Sequence, residues 1–437
     1  MGFVRKHLSA DGLLKIVRHG LSREDFPECK NTPYSWEDCI MSGLAVFGLK
    51  QSSLLQFEKA KASEPLVRSN LKTLYGVTKA PSDTCMRERL DRVLPSQLRF
   101  AYKKIFAYLQ RGKALESYRY LDGHYIISID GTGQYCSKTV HCENCCEKSH
   151  RDGSKTYYHH MLGAVLVHPD MSVVIPLAPE PIVKGDGFTK NDCEQNASKR
   201  LLTDLRREHP HLKVLIVEDG LSSNYPHLSL LDSLKMSYVI GVKPGDHEYL
   251  FDRINDLKAT VHIQKDPNGT VHEFRYYSDV PLNKAHHDYR VQVLEYCETQ
   301  PSGKTQKFSW VTNLSITSEN VYKIMRSGRS RWKIENETFN TLKNQGYNFE
   351  HNYGHGYQNL CSVMTMLMNL AFLIDQVQQL CCSIYQKARQ HSGKLSALFE
   401  KARILFEFGL WDSWQDLYRF IGDPASRTPP GEHGWIL

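Results

Sequence analysis

Residues 125–133, Tyr125-Ile126-Ile127-Ser128-Ile129-Asp130-Gly131-Thr132-Gly133, form an apolar run that ends in a carboxylate and a glycine-rich turn. Isoleucines on both parities are the texture of a strand buried on both faces. Related texture returns at 161–168 and 172–177, turned by His168-Pro169-Asp170, and at 213–220, which again ends in an acid and a glycine. A further run, Tyr238-Val239-Ile240-Gly241-Val242, is ended by Lys243-Pro244-Gly245. A polar helix from roughly Asp192 to Arg207 and a shorter one near Pro226 to Leu234 separate these strands.

Three strands, a helix, a strand, a helix, a strand and a late helix is the order of an RNase H-like α/β domain. In open sheets of this kind function collects at strand ends. Asp130 ends the first strand and Asp219 the fourth, which are neighbours in that topology. The late helix reads Arg331-Trp332-Lys333-Ile334-Glu335-Asn336-Glu337-Thr338-Phe339-Asn340-Thr341-Leu342-Lys343. Its periodicity places Glu335, Phe339 and Leu342 near one face, with Arg331 one turn before the glutamate. Three carboxylates at one edge repel one another unless a cation neutralises them, and hard oxygen ligands favour Mg²⁺ or Mn²⁺ over zinc. Two such ions about 3.5–4 Å apart activate a water or 3′-hydroxyl and stabilise the leaving oxygen in phosphodiester chemistry. Each acid alone has a plainer reading: a strand-end Asp before Gly is a turn residue, and the late helix is a salt-bridged surface. The joint pattern is what points to chemistry.

At 437 residues, 41% hydrophobic and 24% charged, the chain is of a size and composition for two or three globular domains. The longest apolar run, Met364 to Ile374, is too short to span a bilayer, and Arg5, Lys6 and Asp11 interrupt any secretory pattern. The expected compartment is therefore the cytoplasm, with no membrane partner and with the twelve cysteines as thiols or metal ligands. The net charge of +7 is unevenly spread: residues 1–122 hold 21 Lys and Arg against 13 Asp and Glu, leaving 34 against 35 in the remainder. A basic helical region beside a neutral body suits a phosphate-binding module joined to a catalytic one. Within it Lys103, Lys104 and Arg111, interleaved with Tyr102, Phe106 and Tyr108, are candidate DNA-backbone contacts.

The domain reading is a helical, basic region over 1–122 and a core first part over 123–243. A β-rich insertion over 244–307, a core second part over 308–350 and a helical region over 351–437, with a capacity for dimer packing, complete it. The tail after Asp423 is rich in Pro and Gly and reads as loose. Between the first two strands, Cys142, Cys145, Cys146 and His150, with His159 and His160 following, are compatible with a structural zinc staple. The competing reading is a polar loop with reduced thiols. His159 and His160 have a further alternative, facing the acids or DNA. No Gly-x-Ser-x-Gly or phosphate-binding Gly-x-x-x-x-Gly-Lys-Ser/Thr loop is present, which disfavours serine-hydrolase and ATP-driven chemistry.

Ile129-Asp130-Gly131-Thr132, Glu218-Asp219-Gly220 and Arg331-Trp332-Lys333-Ile334-Glu335 resemble the signatures of bacterial insertion-sequence DDE transposases. The similarity is to the cut-and-paste branch with a β-rich insertion and a Tyr-Arg-Glu-Lys signature, and it covers roughly residues 125–375. The resemblance implies that Asp130, Asp219 and Glu335 bind Mg²⁺ and that Arg331 and Lys343 grip phosphates of the transposon end. Trp332 would pack, or stack its ring. It further implies double-stranded DNA partners (terminal inverted repeats and target), a homodimer that pairs two ends, and a bacterial, nucleoid-associated protein. Two positions depart from the signature. Gly328 stands where tyrosine is expected, and Lys343 lies eight residues after Glu335 rather than seven, which makes Glu337 a rival third acid. The alternative functions are a metal-dependent nuclease without strand transfer and a non-catalytic DNA-binding protein.

Overall fold

The computed structural model describes residues 6–27, 33–187 and 190–423; the tail after Asp423 lies outside them. Ahead of the sheet run helices Ala10–Leu21, Trp36–Gly48, Leu54–Ser63, Pro65–Tyr75, Asp83–Leu90 and Arg99–Arg111. Four of them start at serines whose side chains accept a backbone N–H of the first turn: Ser9, Ser35, Ser53 and Ser82. These caps satisfy donors that a helix start otherwise leaves orphaned.

Helices from the other end of the chain, Leu360–Cys381, Ser383–Ser392, Leu395–Phe408 and Trp414–Gly422, share a core with these. The two ends are stitched by buried polar contacts. Asn70 donates to the carbonyls of Phe406 (2.7 Å) and Gly409 (2.6 Å), and Asp11 accepts the backbone N–H of Trp414 at 2.8 Å. Leu360–Cys381 continues beyond the apolar run picked out in the sequence, and by length and composition it is apolar enough to cross a bilayer. Its side chains are instead covered by the helices and strands around it, which makes it the central core helix.

The remaining chain forms one large mixed sheet. Its longer strands are β1 (His124–Ser137), β2 (Cys146–Ser149), β3 (Lys155–Val167), β4 (Val214–Glu218), β5 (Ser237–Gly241), β6 (Thr260–Lys265), β7 (Val271–Pro281), β8 (Arg290–Thr299) and β9 (Thr305–Thr312). They lie in the order β2-β3-β1-β4-β5-β9-β8-β7-β6. β1, β4 and β5 are parallel neighbours, and β3 runs antiparallel to β1. The apolar runs are buried on both faces because helices cover both sides, as parallel strands require.

Three sequence readings shift. Asp130 does not end its strand: β4 stops beside it, while β1 continues to Ser137 paired with β3 alone. The expected strand over 172–177 shrinks to Ile175–Pro176, with Glu180–Ile182 following on the same edge of β3. Pro176 and Pro181 lack the N–H that a longer ladder needs. Residues 244–307 open with a helix, Glu248–Asn255, before their three antiparallel strands. Those strands extend the sheet, because β9 pairs with β5 on one side (Val311 beside Ile240) and β8 on the other.

Candidate active site

Asp130 and Asp219 reach the same level of the sheet because β1 and β4 run parallel and in register. Ser128 lies beside Val217, and each acid stands two residues further along its own strand. Period-2 alternation then fixes which side chains share a face. Ser128 and Asp130 point to the same side, where Ser128 Oγ donates to the carbonyl of Arg331 at 3.0 Å. Arg331 Nη1 bridges Asp130 Oδ2 at 3.1 Å and Glu335 Oε1 at 2.7 Å. Glu218, one residue before Asp219, points the other way into a buried pair with His227 at 2.6 Å. Of two consecutive acids, one is thus committed to the core. Asp219 also accepts the Leu221 N–H at 3.0 Å, so it caps the turn that follows β4.

Burial pushes the Asp130 carboxyl up to about 7; Arg331 opposes the rise, while the Glu335 and Asp219 carboxylates add to it. Desolvation and like charge act in one direction here. Arg331 and Asp130 both contact Glu335 and neither contacts Glu337.

Glu335 sits in a π-helical turn, Ile334–Phe339, in which the Asn340 N–H reaches back to the Glu335 carbonyl. Such a turn takes up one residue more than an α-turn. The one extra residue in the Glu335-to-Lys343 spacing is taken up in this turn. The turn sits close on the sheet because Gly163, directly across from Asp130, has no side chain. A Cβ at that position would lie 3.0 Å from the Phe339 ring and 3.4 Å from Ile334. Lys333 Nζ donates to the Met171 carbonyl at 2.6 Å and pins the turn's start.

The remaining nominated residues scatter. Lys343 is exposed and pairs with Glu350 at 3.0 Å. Trp332, read as a packing residue, is 49% exposed, with the Arg331 guanidinium 4.7 Å from its ring centre. It faces outward because Ile334 and Phe339 take the inward positions of this segment. Lys103, Lys104 and Arg111 are exposed on Arg99–Arg111, with no ion-pair partner among the described residues. Trp332 and Arg331 instead line a groove of about 770 Å³ that also takes in Asp219 and crosses onto β7, β8 and β9. Its basic lining includes Lys243, Arg275, Lys307 and Arg329, none nominated from the sequence. Lys243 and Lys307 are exposed and without an ion-pair partner among the described residues. Glu194 was missed as well: its carboxylate lies about 3 Å from where a Gly131 Cβ would stand, and it lines a cleft with Asp130 and Asp219. One acid among the many polar residues of that helix, Lys190–Glu208, carries no sequence signal.

Gly328 has a structural reason. A Cβ there would fall 2.5 Å from Trp310 Nε1 and 2.6 Å from Cε2. The indole on β9 fills the space that a side chain at 328 would occupy. Gly328→Ala is expected to destabilise by about 1–3 kcal/mol through overpacking. Urea denaturation checks this, and an unchanged midpoint would contradict the tight contact.

The cysteine cluster differs from the expected ligand set. Cys142 and Cys145 are gathered with His159 and His355, while Cys146 and His150 are not. Cys146 opens β2 with its Sγ turned to the Ile182 carbonyl at 3.8 Å. His150 sits in the β2–β3 turn, its Nε2 2.7 Å from Thr156 Oγ1. His355 comes from 210 residues beyond Cys145, a separation that no local spacing can announce.

Compared with known protein families, residues 122–372 match the transposase DDE domain. The matched stretch opens just ahead of β1 and closes inside Leu360–Cys381, so it contains Asp130, Asp219 and Glu335 with every strand between them. No curated protein matches the chain. With more than half of its 437 residues in that match, the chain belongs to the DDE-domain transposase family of insertion sequences.

Proposed function

We propose that this transposase cleaves the ends of its element and joins them to target DNA by cut-and-paste, with Asp130, Asp219 and Glu335 as its metal-binding acids. The carrying observation is that two of these acids end up at one level of adjacent parallel strands, while the third shares Arg331 with the first. β1, β3, β4 and β5, with the short edge strand beyond β3, have the order of an RNase H-like core. On this reading β6–β8 are an insertion in that core, and the helices of both chain ends flank it.

The donor set fits Mg²⁺ or Mn²⁺: carboxylate oxygens only, crowded enough that Asp130 resists ionising without a cation. Bound there, divalent ions supply Lewis-acid polarisation of the scissile phosphate and ease deprotonation of the attacking water or 3′-hydroxyl. The chain's own groups do the rest. Arg331 holds Asp130 and Glu335 facing one another and offers its remaining N–H donors to a phosphate oxygen. Trp332, exposed at the groove, presents a ring on which an unstacked base can lie. Lys243 and Lys307 neutralise backbone phosphates along the groove, and Lys343 and the basic helix Arg99–Arg111 extend that field. The helical region over 1–122 reads the terminal repeats, the inserted strands clamp flanking DNA, and two copies pair two ends.

The deciding experiment incubates the protein with Mg²⁺, the inverted repeats that flank its gene, and a target plasmid. Joined products dependent on the terminal sequence are expected. Cleavage indifferent to terminal sequence, with no joined product, would assign the scaffold to a nuclease.

A stability prediction follows from Asp130. Its folded pKa of about 7 lies above its ordinary value of 3.8, so the stability it contributes is full below that ordinary value. It is lost as pH rises toward 7. Cation-free protein should therefore weaken by about 1–3 kcal/mol from this group between pH 4 and 8. The Mg²⁺-induced gain in Tm should be larger at pH 8 than at pH 5, and Asp130→Asn should flatten the difference. Equal Mg²⁺ gains at both pH values in the wild type would count against the site.

A further inference from the structure

Cys142 and Cys145 lie in the loop after β1, His159 in β3, and His355 in the irregular segment between Asn344 and Leu360. Their ligand atoms converge. Cys142 and Cys145 Sγ are 3.9 Å apart. His159 Nε2 lies 3.4 Å from Cys142 Sγ and 3.3 Å from Cys145 Sγ. His355 Nε2 lies 3.2 Å from Cys145 Sγ and 3.2 Å from His159 Nε2. A tetrahedron has edges 1.63 times its centre-to-corner distance. Zinc–sulfur bonds of about 2.3 Å and zinc–nitrogen bonds of about 2.05 Å therefore require edges of roughly 3.8 Å (S–S), 3.5 Å (S–N) and 3.3 Å (N–N). The five distances follow that ordering and fall within about 0.3 Å of it.

The surroundings are those of a structural site. Cys145, His159 and His355 are buried, at 1%, 2% and 6% exposure. His355 Nδ1 is 2.8 Å from the Gly356 carbonyl, which fixes the proton on Nδ1 and leaves the Nε2 lone pair facing the cluster. The Cys142 backbone N–H donates to Cys145 Sγ at 3.5 Å, a bond that favours the thiolate. Tyr135 lays its ring 4.6 Å from that of His355. Two thiolates and two neutral imidazoles balance a 2+ ion, and two sulfurs with two nitrogens select zinc over Mg²⁺ or Mn²⁺.

We propose that Cys142, Cys145, His159 and His355 bind one Zn²⁺ in a closed four-ligand site. It staples the loop after β1 to the segment that leads from the Glu335 turn into Leu360–Cys381. The site is separate from the carboxylate centre and holds whatever reaction that centre performs. The contact of Asn144 Nδ2 with the Gln358 carbonyl at 2.9 Å ties the same two segments. The ion adds a cross-link between parts of the chain that are 210 residues apart.

The test is metal analysis of full-length protein purified without chelator, together with replacement of the native metal by Co²⁺. About one zinc per chain is expected, and the cobalt form should show the visible bands and sulfur charge-transfer absorption of a tetrahedral thiolate site. Zinc content should fall at least about tenfold in His355→Ala and in Cys142→Ser. It should stay at wild-type level in Cys146→Ser and His150→Ala, the nearest alternative ligands in sequence. His355→Cys, which preserves a ligand should the alanine variant not fold, should keep about one zinc and strengthen the charge-transfer band. Zinc below about a tenth of an ion per chain in protein with free thiols, a Cys142–Cys145 disulfide by mass spectrometry, or full zinc in His355→Ala would each overturn the assignment.

Discussion

Asp219→Asn, Asp130→Asn and Glu335→Gln are each expected to reduce Mg²⁺-dependent cleavage of transposon ends by about 10³-fold or more, at least ~4 kcal/mol of transition-state stabilisation. Binding of the ends should remain within a few fold. The reason lies in how the three acids are held. Asp130 and Asp219 are placed by the register of β1 and β4, and Glu335 by a turn whose seat on the sheet is made by Ile334, Phe339 and Gly163. An amide in place of a carboxylate keeps the shape and removes the charge, so the loss should fall on chemistry rather than on fold. Glu337→Gln is the matched control, since Glu337 touches neither Asp130 nor Arg331. Gel-shift and cleavage assays on the same labelled ends separate the two effects. Wild-type cleavage by any one of the three variants would remove that residue from the site.

Asp375→Ala is expected to cost about 3–5 kcal/mol of folding stability, because it strands a buried ammonium. Lys50 Nζ donates to Asp375 Oδ2 at 2.7 Å, with the two side chains only 2% and 10% exposed. The ammonium also lies 4.3 Å from the Tyr347 ring centre and 4.1 Å from that of Phe399. Tyr347 donates its hydroxyl to the same carboxylate at 2.5 Å. Burial pushes the Lys50 pKa below its usual range, and Asp375 opposes that shift. With the carboxylate gone only the burial remains. In a chain of this size a drop in Tm of about 3–5 °C should follow. The double variant Lys50→Met with Asp375→Leu should recover most of it, since a well-packed apolar pair can replace a buried ion pair. Differential scanning calorimetry on the three proteins decides; a loss below about 1 kcal/mol for Asp375→Ala would show that the pair is hydrated.

Much of the strand and helix pattern around the acids was legible in the sequence. The apolar runs at 125–129 and 213–217 announce strands because burial on both faces leaves no polar alternation. The serine caps at Ser9 and Ser35 came to light only in the structure, where each side chain accepts a backbone N–H three residues on. The Glu335 helix was legible as a helix but not as a π-turn, since one extra residue in a turn leaves no compositional trace and shows only as odd spacing to Lys343. The groove lysines, Lys243 and Lys307, were not legible. Lys243 joins the Asp219 groove only through the pairing of β4 with β5, and Lys307 only through that of β5 with β9.

What the sequence determined by itself is local. Hydrophobic runs, helical periodicity and acid-glycine junctions act through neighbours a few residues apart, and with the resemblance of the Arg331–Glu335 motif they were enough to nominate Asp130, Asp219 and Glu335. What the tertiary structure decided is which distant groups meet. His355 joins Cys145 across 210 residues, Trp310 fills the space over Gly328, and helices from both chain ends close over one core. Such contacts depend on how layers pack and strands pair, and a chain records that only in the sum of its burial, not at any one position.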